Sequence, residues 1–146
     1  VSRAAQLLHV FEQDLQQDCA DYLGLRGLMQ ELYDQLLKRD CGRIDLLNRQ
    51  IGDMLEQMGA RAQRRSKILT AFRLDKGAEG MQKLLDHFPP AQRARLRESW
   101  EQLGQLAAQC KRLNERNGKL LAMHHEILDQ LLGETDPAQL YAPQPC

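Results

Sequence analysis

Aromatic residues make up only 5% of this 146-residue chain, and neither sign of charge is in excess: 20 Lys and Arg face 20 Asp and Glu. Balanced charge leaves no net field to steer the chain to nucleic acid or to an anionic membrane surface. Long apolar runs are also missing. None approaches the ~20 residues that span a bilayer, and the opening VSRAAQLLHVFEQD has no uninterrupted apolar core of the kind a secretion signal needs. The cysteines Cys19, Cys41, Cys110 and Cys146 show no CxxC spacing, so neither a zinc site nor a redox motif is implied. Free thiols in a reducing compartment are expected, and the chain reads as soluble and cytoplasmic, with no membrane insertion and no nucleic-acid partner.

Catalytic signatures are equally sparse. There is no glycine-rich phosphate loop and no nucleophile elbow. Serine occurs at Ser2, Ser66 and Ser99 alone, none beside a recognisable base motif. Of His9, His87, His124 and His125, the adjacent pair would point ~100° apart on a helix and could not share a metal as an i, i+4 pair does. No constellation meets the geometry catalysis requires, so no enzyme, cofactor or metal is expected.

What is present is a helix-forming composition rich in Leu, Gln, Ala, Arg and Glu, with proline confined to Pro89-Pro90, Pro137, Pro143 and Pro145. A first helix is predicted over about residues 2–39. Leu8, Phe11, Leu15, Tyr22, Leu25, Met29, Leu32 and Leu36 recur at steps of three and four, with Asp18 in one seam slot. Asp40-Cys41-Gly42 breaks it, and the short connection predicts an antiparallel return. A second helix is predicted over 43–74 on Ile44, Leu47, Ile51, Met54, Met58, Ile68 and Phe72. Arg61 and Arg65 fill its two remaining seam slots. A charged seam costs stability, so the bundle is expected to open there. The basic run RAQRR reads as a phosphate patch or, more plainly, as a solvated face. Residues 75–90 form a connector loosened by Gly77 and Gly80, with a short amphipathic helix over 78–87.

A last long helix is predicted over 91–132. Leu96, Trp100, Leu103, Ala107 and Cys110 set the seam; counting on by four and three gives Asn114, Asn117, Leu121, His124, Leu128 and Leu131. Asn117-Gly118 is a strong turn signal, but the apolar phase is the same on both sides of it. A continuous helix must preserve that phase and a hairpin need not, so the helix is taken through at about 1 kcal/mol for the interior glycine. Gly133 ends it, and residues 134–146 form a proline-spaced mobile tail carrying Leu140 and Tyr141. The expected fold is all-α: one domain over residues 1–133, an elongated antiparallel three-helix bundle or coiled coil with a short connector helix.

The end of the last helix is too apolar for one seam. Leu120, Met123 and Ile127 form a second stripe beside Leu121, His124 and Leu128, and Leu131 and Leu132 follow. Helices apolar on two adjacent faces want two partners. Either the first helix or a second copy of the chain covers the extra stripe, or it is a groove for a foreign amphipathic helix. Asn114 and Asn117 read as buried amides that fix register, with or without a ligand role. Gly118 reads as a place where another backbone approaches closely.

Trp100, thirteen intervening residues, then Asn114, Asn117-Gly118, Leu120-Leu121 and a late Leu140-Tyr141 resembles the C-terminal half of the FlgN-type flagellar export chaperones. The resemblance implies a small cytosolic helical chaperone. Such a protein binds the C-terminal amphipathic segment of hook-associated (hook–filament junction) proteins, prevents premature assembly and delivers them to the type III export gate. By that resemblance, substrate binding falls to the helix from Asn114 to Leu132, and gate docking to Leu140 and Tyr141. Ala142 stands where the family often has glycine. The alternative from the residues alone is a structural coiled coil whose C-terminal helix makes a constitutive homodimer.

Overall fold

In the computed structural model, which describes residues 2–131, local capping sets where each helix starts and stops. The helices are α1 (Arg3–Lys38), α2 (Cys41–Ala71), α3 (Ala78–Leu85) and α4 (Pro90–Leu131). The Ser2 hydroxyl accepts from the Ala5 N–H at 3.1 Å and opens α1. At the far end Arg39 turns left-handed (φ 54°), and Asp40 donates its N–H to the Gln35 carbonyl at 3.2 Å. The carboxylate of Asp40 then accepts from the Arg43 N–H at 3.2 Å and caps α2. One residue closes one helix and opens the next, so the break is narrower than the sequence suggests: Cys41 and Gly42 already belong to α2. Pro89-Pro90 starts α4, with the Pro89 carbonyl accepting from Arg93 at 2.8 Å.

Helix α1 is the spine. Gln92 reaches Glu12, the Cys19 thiol reaches the Ser99 carbonyl, and Asn117 reaches the Met29 carbonyl, so α4 climbs α1 in the same direction. Helix α2 runs antiparallel to both. Among the described residues, α2 and α4 share no Cα pair within 8 Å. They flank α1 and leave a gap between them, which matters below. At 1.5 Å per residue, α1, α2 and α4 are about 54, 46 and 63 Å long.

The core divides into two apolar clusters. The lower one joins Phe11 and Leu15 of α1, Ile68 and Leu69 of α2, Met81, Leu84 and Leu85 of α3, Phe88, and Leu96 and Leu103 of α4. The upper one is built on Leu25, Met29, Leu32, Leu36, Ile44, Leu47, Ile51, Met58 and Cys110. Between them lies a charged layer, and here the sequence expectation is corrected. The bundle does not open at Arg61, which is only 7% exposed. Its Nε donates to Asp18 Oδ1 at 2.5 Å, and its Nη2 to Asp21 Oδ2. Arg65 donates to the other Asp18 oxygen at 3.0 Å and stacks 5.1 Å from the Trp100 ring centroid. Arg64 forms a two-pronged pair with Asp14. Burial alone would lower the Arg61 pKa, but the hydrogen bonds and charges of Asp18 and Asp21 outweigh it and hold it raised. The run RAQRR is therefore split: Arg61 is buried, Gln63 and Arg64 stay exposed, and α1 supplies the counter-charges of all three arginines.

The short amphipathic connector helix forms as expected, as α3, but its glycines do not loosen it. Met81, Leu84, Leu85 and Phe88 are buried, so the apolar side of this segment plugs the lower cluster. Asp75 pins it by accepting from the N–H groups of Gly77 (2.9 Å) and Gly80 (3.1 Å). This approach needs glycine at position 80, where an added Cβ would sit 1.9 Å from the Asp75 carbonyl oxygen. Gly80→Ala is expected to cost about 1–3 kcal/mol through that overpacking, read as an earlier midpoint in urea unfolding.

Among the described residues, Cys19 and Cys110 carry free thiols. Burial raises both pKa values, with help from the Asp18 charge at Cys19.

Candidate binding site on the last helix

Helix α4 runs unbroken through Asn117-Gly118. Asn117 holds the register there. It is 5% exposed, and its Nδ2 donates to the Met29 carbonyl of α1 at 2.9 Å. Its Oδ1 is buried without a partner among the described residues. Asn114, expected as a second buried amide, is instead exposed, because its side of α4 faces the gap toward α2. That gap is a hollow of about 290 Å³. Asn114, Asn117, Gly118, Leu121 and His125 of α4 line it, together with Leu32 and Leu36 of α1 and Ile44, Asp45 and Asn48 of α2.

Among the described residues, no other backbone uses the space at Gly118. A Cβ there would meet nothing within 4 Å, so the expected close approach is not made among the described residues. Gly118→Ala should therefore raise stability by about 0.5–1 kcal/mol through helix propensity alone, seen as a higher melting temperature.

The remaining candidate residues lie on a different face. Leu120 is half-buried against the upper cluster, and beyond it Met123 (57% exposed), Ile127 (41%) and Leu131 (76%) follow at steps of three to four. Residues so spaced stack on one side of a helix. Single exposed leucines such as Leu46 and Leu55 are ordinary; a row of three large apolar side chains on successive turns marks an interaction surface. The structure thus divides the candidates. Asn114, Asn117, Gly118 and Leu121 border the α2 hollow, while Leu120, Met123, Ile127 and Leu131 form an open stripe. The side chain of Leu128, and Leu132, Leu140 and Tyr141 altogether, lie outside the described residues.

Sequence reasoning did not include what the neighbouring helices bring: Ile44, Asp45 and Asn48 of α2 on one side, Arg26 and Gln30 of α1 on the other. The repeat of arginine at 112 and 116, one turn apart, was a signal available in the sequence. Among the described residues no group of His, Cys, Asp or Glu is gathered as a metal would need, and no helix is long and apolar enough to cross a membrane.

Comparison with known proteins follows the same outline. A family model described as FlgN protein matches residues 7–137. The fold is similar to the crystal structure of a proposed flagella synthesis protein FlgN from Pseudomonas aeruginosa, with a TM-score of 0.68 over 83% of this chain and 90% of that one. Identity to it is 22%, so that likeness speaks to fold alone. None of the curated proteins matches the chain.

Proposed function

The chain belongs to the FlgN family, a membership that gives it a flagellar, chaperone-type role in general, and on that premise we propose that it is a cytoplasmic chaperone of type III export. Its client is the C-terminal amphipathic segment of hook-associated proteins, which it keeps from assembling early and delivers to the export gate. It carries out no catalysis and holds no cofactor. The observation that carries this reading is the exposed row Met123, Ile127 and Leu131, which prolongs α4 as an apolar face uncovered among the described residues. An amphipathic segment waiting for export exposes a matching stripe and would aggregate alone. A helix laid against α4 covers both surfaces.

Release at the gate requires moderate affinity. Burying three side chains of this kind contributes about 5–9 kcal/mol gross, and ordering a disordered client takes back about 2–5 kcal/mol. Docking at the gate is assigned to Leu140 and Tyr141 from their place in the family pattern. The test is calorimetric titration of the full chain with a hook-associated C-terminal segment. Saturable binding with a negative heat-capacity change supports the proposal. A stable homodimer that binds no such segment supports the coiled-coil alternative instead.

A further inference from the structure

Helix α4 meets α1 along a second hollow, of about 370 Å³, on the side away from α2. Arg26 and Gln30 of α1 and Gln109, Arg112, Leu113 and Arg116 of α4 line it, with no carboxylate among them. Arg26 Nη1 donates to Gln109 Oε1 at 2.8 Å, and the Arg116 guanidinium stands 3.6 Å from the Tyr33 ring centroid. None of these three arginines has an ion-pair partner among the described residues. The contrast is with Arg61, Arg64 and Arg65, each matched by Asp14, Asp18 or Asp21. The whole chain is neutral, so this local excess is not a by-product of a basic composition.

The hollow runs into the exposed stripe. Leu120 follows Arg116 by one turn of α4 as Leu37, also exposed, follows Tyr33 by one turn of α1. Met123 and Ile127 continue the same side of α4. A single track therefore passes from unpaired guanidiniums to uncovered apolar side chains.

We propose that this track takes an amphipathic helix whose apolar face is flanked by carboxylates, with Arg26, Arg112 and Arg116 setting its polarity and register. Charge complementarity commits the occupant: three cations without counter-ions among the described residues, beside an apolar row, suit an acidic helix and repel a basic one. The inference rests on the reading that the stripe receives a helix, and adds the chemistry of that helix and the part played by α1.

The test uses two synthetic helical peptides of one length with the same leucine stripe, one flanked by glutamates and the other by lysines. Each is titrated against the full chain and against R112E/R116E by fluorescence anisotropy. The glutamate peptide should bind about tenfold tighter at low salt, and the gap should close near ~0.5 M salt as screening sets in. R112E/R116E should reverse the preference while keeping its helicity. The wild-type preference and its salt dependence need no variant, so they decide the matter even if R112E/R116E folds poorly. Equal binding of the two peptides, or a preference that survives the charge reversal, overturns the inference. A hook-associated segment titrated alongside tests the chaperone reading separately: its failure to bind while the glutamate peptide binds removes the client and leaves the track.

Discussion

Asp18→Ala is expected to destabilise the protein by about 3 kcal/mol, the lower end of the 3–5 kcal/mol typical when one partner of a buried ion pair is removed. Asp18 is 2% exposed and accepts from two guanidiniums, those of Arg61 and Arg65. Without it Arg61 stays buried with a full charge and keeps only Asp21, while Arg65 keeps its stacking on Trp100. The low end applies because Asp21 still neutralises one end of Arg61. Asp18→Asn should lose nearly as much, since it retains the shape and removes the charge. Arg64→Ala makes the contrast: its pair with Asp14 is half-exposed and should contribute less than about 1 kcal/mol. Urea unfolding of the three variants separates these cases. A loss below about 1 kcal/mol for Asp18→Ala would place the layer with surface pairs and remove its role in fixing α2 against α1.

Met123→Asp with Ile127→Asp is expected to abolish capture of a hook-associated C-terminal segment and leave the fold unchanged. Both side chains are exposed and neither belongs to a core cluster, so the carboxylates meet water in the free protein. In the complex they would be buried without partners, on top of the lost apolar contact of two anchors. Each uncompensated polar group costs about 1–3 kcal/mol by itself. Two such groups plus about 3–6 kcal/mol of lost transfer energy total about 5–12 kcal/mol, comparable with the whole net affinity of a micromolar complex, about 8 kcal/mol. Circular dichroism and the melting temperature should match wild type. Leu121→Asp is the comparison: Leu121 packs against the upper cluster and should lose stability as well as binding, so it cannot tell the two apart.

The long helices were legible because their apolar residues keep one phase. Phe11, Leu15, Leu25, Met29, Leu32 and Leu36 sit at seam spacing and are buried. The continuity of α4 through Gly118 followed from phase as well, against the local turn signal. Pattern along one helix carries no information on which residues of two helices face each other. Arg61 and Asp18 both stood in seam slots, yet only the register of the α1–α2 hairpin turns two apparent defects into one ion pair. Gly80 illustrates the same limit at short range. It read as a flexible point, and it is the one residue small enough for Asp75 to approach the start of α3.

The site was half legible for a related reason. The double stripe on α4 is a property of its own sequence and appeared there. Which stripe remains open depends on the distance between α2 and α4 and on where α1 ends, and these are set by packing. Hence Asn114, read as buried, faces a hollow, and Arg26, which lies off the seam of α1, lines a second hollow against α4.

Chemical-shift mapping on the isotopically labelled full chain, titrated with a hook-associated C-terminal segment, is the most direct test of where the client lies. The account predicts the largest shifts at Leu113, Leu120, Met123, Ile127 and Leu131 of α4 and at Leu37 of α1, with the α2 residues Leu46 and Leu55 unmoved. Shifts centred on α2, or a spectrum that does not respond to saturating segment, would contradict it.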